Sequence, residues 1–320
     1  MEFKIWSAVF PSFAIALLGY VYSRVDKELH VKSVANLIYY LFSPCLVFAS
    51  IAKRPFQVNE LLLLGGSSFV LILVMAIIVM FYKKAVSVEE KGFYLPVIFM
   101  NTGNIALPMA LFLYGNLGLS KAILFHLVNV MILYSLGVFL VSSKTDLRQF
   151  FKIPFLYAAV LGMIVANISV PLPEGLQSFL GLVSTGIEEI GKGSVPLLII
   201  SLGYSLNRTK ISDLRDGLVG AGLRVLLGPA MAFGLVFLYR HLGWVPLEGL
   251  RTAAHVDART TEAIIILMAA MPAPIASYLL NEKFENCPEK AASMVLIGTL
   301  AGVVTIPLVL RLSFAYVYAP

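Results

Sequence analysis

The chain has 320 residues, of which 59% are hydrophobic and only 13% are charged, and its mean hydropathy is +0.88. Soluble domains average roughly 45–50% apolar and about 25% charged residues, so this composition excludes a water-soluble fold. The formal net charge is +6, but the basic residues are scattered through connecting segments rather than clustered on one face, which argues against nucleic acid as a partner.

Ten apolar runs predict an all-α membrane protein with ten transmembrane helices. A spanning helix needs about 20 apolar residues, so ten of them with short connections occupy nearly the whole chain. The runs are too long and too poorly alternating for barrel strands, and no cleavage site follows the first, which predicts a retained helix. In chain order the predicted helices cover residues 5–23, 34–52, 61–82, 93–114, 122–143, 154–172, 187–207, 217–239, 263–280 and 291–313.

The distribution of lysine and arginine predicts the orientation in the membrane. Connections after odd-numbered helices contain fourteen basic residues, whereas the opposite side, both termini included, contains seven. Because short cytoplasmic loops carry the excess of Lys and Arg, both termini are predicted to face outside. We expect a multi-pass protein of the cell membrane, either a plasma membrane or a bacterial inner membrane.

Proline recurs at matching places in the two halves of the chain. Pro44 in helix two and Pro196 in helix seven each follow a serine closely, and Pro108 and Pro272 each lie six residues before a tyrosine. Because five is an odd number, two five-helix halves enter the membrane in opposite directions, as in many secondary transporters. The predicted units are a first repeat at 1–143, a cytoplasmic linker at 144–153 and a second, inverted repeat at 154–320.

Helix four contains the polar stretch NTGNIALP at residues 101–108. Pro108 lacks an amide hydrogen and clashes with the carbonyl four residues back, while Gly103 loosens the backbone, so we predict a break in this helix. Freed backbone groups and amide side chains at membrane depth must face protein or a water-filled cavity. The candidate substrate-binding residues here are Asn101, Thr102, Gly103, Asn104 and Pro108.

Helix nine contains AAMPAP at residues 269–274, which predicts a second break. Met271, Pro272 and Pro274 are therefore further candidate substrate-binding residues. Two broken helices that cross near the midplane would offer half-helix ends to a ligand. The alternative is that each proline only kinks its own helix.

These motifs resemble those of the auxin efflux carrier family, which includes plant auxin exporters and bacterial permeases for malate, malonate and similar acids. The resemblance is carried by NTGNIALP with Tyr114-Gly115, by AAMPAPIASYLLNEKF, and by SVPLLIISLGYSL in helix seven. It implies a fold similar to the bile-acid sodium symporters, in which a transport part with crossing helices four and nine adjoins a scaffold part. It also implies a substrate-facing role for Asn129 and a homodimer formed through the scaffold.

Lys192 lies one helical turn before Pro196, with Glu188 and Glu189 on the same helix face. A lysine near the membrane interior is a candidate substrate-binding residue, as a countercharge to a carboxylate or a proton-linked switch. The alternative is a local ion pair near the membrane surface, with the lysine extended outward.

Three other polar features leave alternatives open. Arg224 in helix eight either faces the cavity or anchors the helix at the interface. His126, one turn from Asn129, either relays protons or is a hydrogen-bonded packing residue. The charged stretch 251–262 before helix nine is either an external amphipathic segment or part of the translocation path.

We expect a secondary transporter of small organic anions that works by alternating access, with helices three to five and eight to ten moving against the others. Asparagine amides and helix amino ends can hold a carboxylate without a full charge in hydrocarbon. The residues alone predict a polar solute site, and the resemblance adds the carboxylate. Proton or sodium coupling, including a sodium symporter of organic solutes, and a membrane-embedded metabolite sensor stay open. No HExxH or GxSxG motif is present, so we expect no enzyme activity, cofactor or bound metal.

Overall fold

The computed structural model describes residues 2–26, 31–53, 58–86, 91–142, 153–167, 173–207, 213–244 and 253–318, in which every regular element is a helix. The prediction of an all-α membrane protein is confirmed. Six helical stretches in this part of the chain are long and apolar enough to cross a membrane: Glu2–Val25, Ser33–Ile51, Asn59–Val86, Tyr94–Ser142, Leu214–His241 and Pro288–Val317. Most of the predicted linker, 144–153, lies outside the described residues.

Helices of the first half are interrupted by short π-helical and 3-10 turns. The α-helices are α1 Glu2–Val25, α2 Val31–Leu37, α3 Ser43–Ile51, α4 Val58–Val86, α5 Tyr94–Ile98, α6 Leu107–Ile132 and α7 Val138–Ser142. The π-helical turns at Ile38–Phe42, Thr102–Ala106 and Leu133–Gly137 continue directly into α3, α6 and α7, and a 3-10 turn at Lys91–Phe93 precedes α5.

The second half has fewer and longer helices. They are α8 Pro154–Asn167, α9 Glu174–Leu206, α10 Leu214–His241, α11 Ala253–Ala269, α12 Ile275–Lys283 and α13 Pro288–Val317. Helices α9 and α11 begin at Glu174 and Ala253, well before the predicted starts at 187 and 263.

The connection predicted between helices four and five is shorter than expected. Two helical stretches meet at a kink at Gly115, where φ is 63° and ψ is −156°, a backbone conformation open to glycine, and residues 116–121 are already helical. Lys121, one of the seven basic residues that the sequence places on the outer side, is only 1% exposed. Its ammonium contacts Glu60 in α4 and lies 2.7 Å from the Thr261 hydroxyl in α11.

Part of the charged stretch 251–262 is also buried. The Glu262 side chain is fully buried and accepts two hydrogen bonds from the Arg240 guanidinium, at 2.8 and 2.5 Å. Thr260 and Thr261 are each 4% exposed, so 260–262 are packing residues rather than an external amphipathic segment. The side chains of His255 and Asp257 lie outside the described residues.

Contacts between elements divide the helices into two groups. In the first helix group, α1 packs along α9, and α3 packs on α8 and α9. In the second helix group, α4 packs on α6, α10 on α13, and α11 on α6, α10 and α13. The groups touch mainly where α1 contacts α6 and α13, and where α9 contacts the turn at Thr102–Ala106.

Helices α1 and α9 approach each other at two glycines. A Cβ atom on Gly203 would lie 1.7 Å from the carbonyl oxygen of Ala16, and one on Gly19 would lie 2.2 Å from that of Ile200. The atoms in the way belong to backbones, so neither helix can accommodate a side chain by a rotamer change. Such close contact between small residues is a usual source of helix association in lipid, where apolar burial contributes little.

We predict that Gly203→Ala lowers the thermal unfolding temperature of the detergent-purified protein by several degrees, because overpacking costs about 1–3 kcal/mol. The matched control is Gly186→Ala in the same helix, where no atom lies within 4 Å of the added Cβ. This control should be neutral or slightly stabilising because alanine favours helix. Equal unfolding temperatures for the two variants would contradict the close α1–α9 approach.

Candidate functional site

Helix nine is interrupted between α11 and α12. Helix α11 ends at Ala269, residues 271–274 are not helical, and α12 begins directly after Pro274, whose φ of −77° and ψ of 145° are extended. No side chain caps the amino end of α12. Two prolines within four residues remove the donors that a continuous helix would need here.

Helix four is interrupted as well, but not where the proline suggested. Helix α5 ends at Ile98, and Phe99 to Asn101 are not helical, with ψ of 157° at Phe99 and 64° at Asn101. Pro108 lies within the first turn of α6, after the π-helical turn in which the N–H of Leu107 donates to the Thr102 carbonyl.

The break in helix four therefore precedes Pro108, whereas Pro272 lies within the break of helix nine. A proline is tolerated in the first turn of a helix, where its missing donor has no partner. The break is instead closed by Asn101, whose Oδ1 accepts a hydrogen bond from the backbone N–H of Asn104 at 3.2 Å. This is the helix-capping geometry that asparagine favours.

The two interrupted segments meet directly. The backbone N–H of Asn101 donates to the carbonyl oxygen of Pro272 at 2.9 Å. Met271, which precedes Pro272 in the chain, is fully buried. Pro272 makes the contact with Asn101 through its backbone carbonyl and not through its ring. The structure thus brings the candidates of helices four and nine to one place.

A cavity of about 260 Å³ lies where the interrupted segments face the first helix group. In the described part of the chain its lining contains amides, hydroxyls, one imidazole and apolar groups, and no Asp, Glu, Lys or Arg side chain. The polar lining residues from the second group are Asn101, Thr102, Asn104, His126, Asn129 and Tyr134, and those from the first group are Tyr39, Ser43, Ser201 and Ser205. Gly103 and Pro274 also line the cavity.

A chain of hydrogen bonds crosses the cavity wall from Asn129 to His126. The Asn129 Nδ2 donates to Thr102 Oγ1 at 3.0 Å, and Thr102 Oγ1 lies 2.7 Å from His126 Nδ1. A hydroxyl can donate one hydrogen bond and accept two, so the tautomer of His126 sets which of the two atoms donates. The imidazole stacks on Phe155 of α8, with ring centroids 5.6 Å apart.

Two buried polar atoms at the cavity have no hydrogen-bond partner among the described residues. They are Asn101 Nδ2, a donor, and Asn129 Oδ1, an acceptor, and both residues are at most 2% exposed. Buried polar atoms are rarely left unpaired unless a ligand or a water pairs with them. Asn104 is paired differently, since its Nδ2 contacts the Leu198 carbonyl at 3.0 Å and Ser201 Oγ at 3.3 Å across the boundary between the helix groups.

The structure does not bring Lys192 to this cavity. Its side chain is 59% exposed, lies 2.6 Å from Glu189 and 3.7 Å from Glu188, and Glu188 also pairs with Lys53 at 2.6 Å. The local ion pair is therefore present. Lys192 lines a second cavity of about 300 Å³ with Asn116 and residues of α3 and α6.

Arg224 neither faces the cavity nor anchors its helix at the membrane interface, which are the two roles that its sequence position suggests. It is fully buried in α10, so it does not anchor at an interface, and it does not line the cavity. Its guanidinium contacts the carboxyl ends of α5 and α11 instead. The sequence does not predict this contact, although an arginine inside an apolar run indicates that the charge needs a buried partner.

An all-helical membrane protein with two interrupted helices around a polar cavity has the architecture typical of membrane transport proteins. The family model described as membrane transport protein matches residues 4–147 and 139–310. The chain is 26% identical to an uncharacterized transporter of Methanocaldococcus jannaschii, over 92% of this chain and 94% of the relative. It is 23% identical to an uncharacterized transporter of Methanothermobacter thermautotrophicus, over 92% and 93%.

The chain belongs to this membrane transport protein family, which is the family of the auxin efflux carriers that its motifs resemble. The match extends over both halves of the chain, so it covers both interrupted helices.

We predict that Thr102→Val lowers the unfolding temperature, because it removes the hydroxyl that pairs with both Asn129 Nδ2 and His126 Nδ1. Leaving a buried donor or acceptor unpaired costs about 1–3 kcal/mol. The matched control is Thr102→Ser, which keeps the hydroxyl and should unfold close to the wild-type temperature. If the serine variant unfolds as early as the valine variant, the methyl group and not the hydrogen-bond chain is responsible.

Proposed function

We propose that the protein is a secondary transporter of small mono- or dicarboxylate anions, and that the substrate binds in the cavity at the two interrupted helices. The observation that carries the proposal is a polar cavity without formal charge, in which Asn101 Nδ2 is a buried and unpaired donor. A hydrogen-bond donor without a partner suits a carboxylate oxygen.

Two helix amino ends add a favourable potential for an anion. Thr102 begins the π-helical turn that leads into α6, Ile275 begins α12, and both residues line the cavity. Each helix amino end acts as about half a positive charge, and its free N–H groups bind anions. No carboxylate in the described lining opposes this potential. Because the attraction comes from partial charges, the substrate can also leave again.

Alternating access accounts for the position of the cavity between the helix groups. Tyr39 and Ser205 of the first group face the interrupted helices of the second across it. In the predicted orientation Ser205 lies towards the cytoplasm, whereas Asn116 and Lys53, which line the second cavity, lie towards the outside. Movement of the second helix group along the first would open one cavity while it closes the other.

Ten crossings in two inverted repeats are part of the proposal. Ser43 and Ser194, which precede the matched prolines of helices two and seven, lie with their Oγ atoms 3.4 Å apart. Asn101 and Pro272 occupy the two interruptions and are hydrogen-bonded. Corresponding segments of two halves touch when they lie close to a two-fold axis, so these two contacts support the inverted repeat. We further propose a cell-membrane protein with both termini outside and a homodimer through the first helix group.

We predict that Asn101→Ala reduces carboxylate uptake into proteoliposomes by about tenfold or more, since a hydrogen bond to a charged group contributes about 1.5–3 kcal/mol. Labelled malate, malonate, lactate and an indole acid are compared under an imposed potential or pH gradient. The matched control is Asn167→Ala, an exposed asparagine at the end of α8. Saturable binding without flux for every solute would replace the transporter by a membrane-embedded sensor.

We predict opposite labelling of two introduced cysteines, in a background where Cys45 and Cys287 are replaced by serine. A membrane-impermeant maleimide should label Ser205→Cys from the cytoplasmic side and Asn116→Cys from the outside. Substrate should protect the cysteine at 205 and leave that at 116 labelled in the conformation described. Labelling of both positions from one side would contradict the two-sided arrangement of the cavities.

A further inference from the structure

Arg224 joins the carboxyl ends of the two interrupted helices. It is 0% exposed, its Nη2 donates to the carbonyl of Ala269 at 2.7 Å, and its Nη1 contacts the carbonyl of Ile98 at 3.4 Å. Ala269 is the last residue of α11 and Ile98 the last residue of α5. One side chain of α10 therefore bridges the carboxyl ends of α5 and α11. The partial charge of these ends is opposite in sign to that of the amino ends at the cavity.

The partners of this guanidinium are backbone carbonyls and not carboxylates. No Asp or Glu in the described part of the chain forms an ion pair with Arg224, and its Nε has no hydrogen-bond partner there. An isolated buried charge is very unfavourable unless it is compensated. The carbonyl groups at two helix carboxyl ends carry partial negative charge, which compensates the buried guanidinium.

Gly228 leaves the space that this arrangement needs. It lies one helical turn after Arg224, and a Cβ atom there would be 1.9 Å from Arg224 Nη2 and 2.4 Å from the Ala269 carbonyl oxygen. Any side chain at position 228 would therefore clash with the Arg224 guanidinium and with the carbonyl that it binds.

In ion-coupled transporters, unwound backbone and helix carboxyl ends near the midplane coordinate the coupling cation. We propose that the Arg224 guanidinium is a built-in cation that takes this place, so that the protein binds its anion without a bound sodium ion. The inference rests on the proposed function and answers its open question of sodium coupling. The fixed charge stays with the second helix group, and the amino ends at the cavity remain free for the substrate.

A thermal unfolding experiment on the detergent-purified full chain tests this assignment without any substrate. Three proteins are compared in choline, sodium and potassium chloride at equal ionic strength: wild type, Arg224→Ala and Arg224→Met. Wild type should unfold at one temperature in all three salts. Arg224→Ala should unfold several degrees earlier in choline, and sodium or potassium should raise its unfolding temperature with saturation, because the vacated carbonyls bind the ion.

Arg224→Met is the matched control, since its side chain removes the charge but fills the vacated space. It should be destabilised in every salt and gain nothing specific from sodium or potassium. Equal responses of the alanine and methionine variants, or an alanine variant as stable as wild type in choline, would overturn the assignment. If neither variant folds, wild type decides: sodium-dependent unfolding or sodium-dependent uptake contradicts a built-in cation, and equal behaviour in choline and sodium supports it.

The two proposals fail in distinguishable ways. A cation response confined to Arg224→Ala, together with no flux of any carboxylate, keeps the assignment of Arg224 and rejects the transporter. Carboxylate flux that requires sodium in wild type keeps the transporter and rejects the built-in cation.

Discussion

The hydrogen bond from the backbone N–H of Asn101 to the carbonyl of Pro272 is the interaction on which the site depends. Each interrupted helix leaves backbone groups unpaired in a region without water, where such groups are tolerated only if protein or a cavity satisfies them. Here one interruption satisfies part of the other. The contact fixes the two non-helical segments against each other, and this in turn sets where α6 and α12 begin and where α5 and α11 end.

The polarity of the helix ends follows from the same geometry. Every interruption creates one carboxyl end and one amino end, with partial charges of opposite sign. The amino ends at Thr102 and Ile275 border the cavity, whereas the carboxyl ends at Ile98 and Ala269 contact Arg224. A permanent positive charge is thus kept away from the cavity, and the cavity itself stays neutral and polar.

The sequence predicts features that depend on neighbouring residues and misses those that depend on distant ones. Helix type and both interruptions could be predicted, because prolines and asparagines in apolar runs are local signals. The break in helix four is predicted at Pro108 because proline usually interrupts a helix. The π-helical turn before α6, which places Pro108 in the first turn of α6, is not evident from the sequence. Lys121 and Arg224 were misplaced for another reason, since Glu60 lies 61 residues from the lysine and Ile98 lies 126 residues from the arginine.

The placement of charges fits the proposed movement of the second helix group against the first. Buried ion pairs such as Arg240 with Glu262 and Lys121 with Glu60 lie within the second helix group, and breaking such a pair costs about 3–5 kcal/mol. Across the boundary, Asn104 makes neutral hydrogen bonds to α9, each worth about 0.5–1.5 kcal/mol, and the pair Glu2–Arg311 has both side chains 67% exposed. The interactions that the proposed movement would break are therefore the weaker ones, and water can replace them.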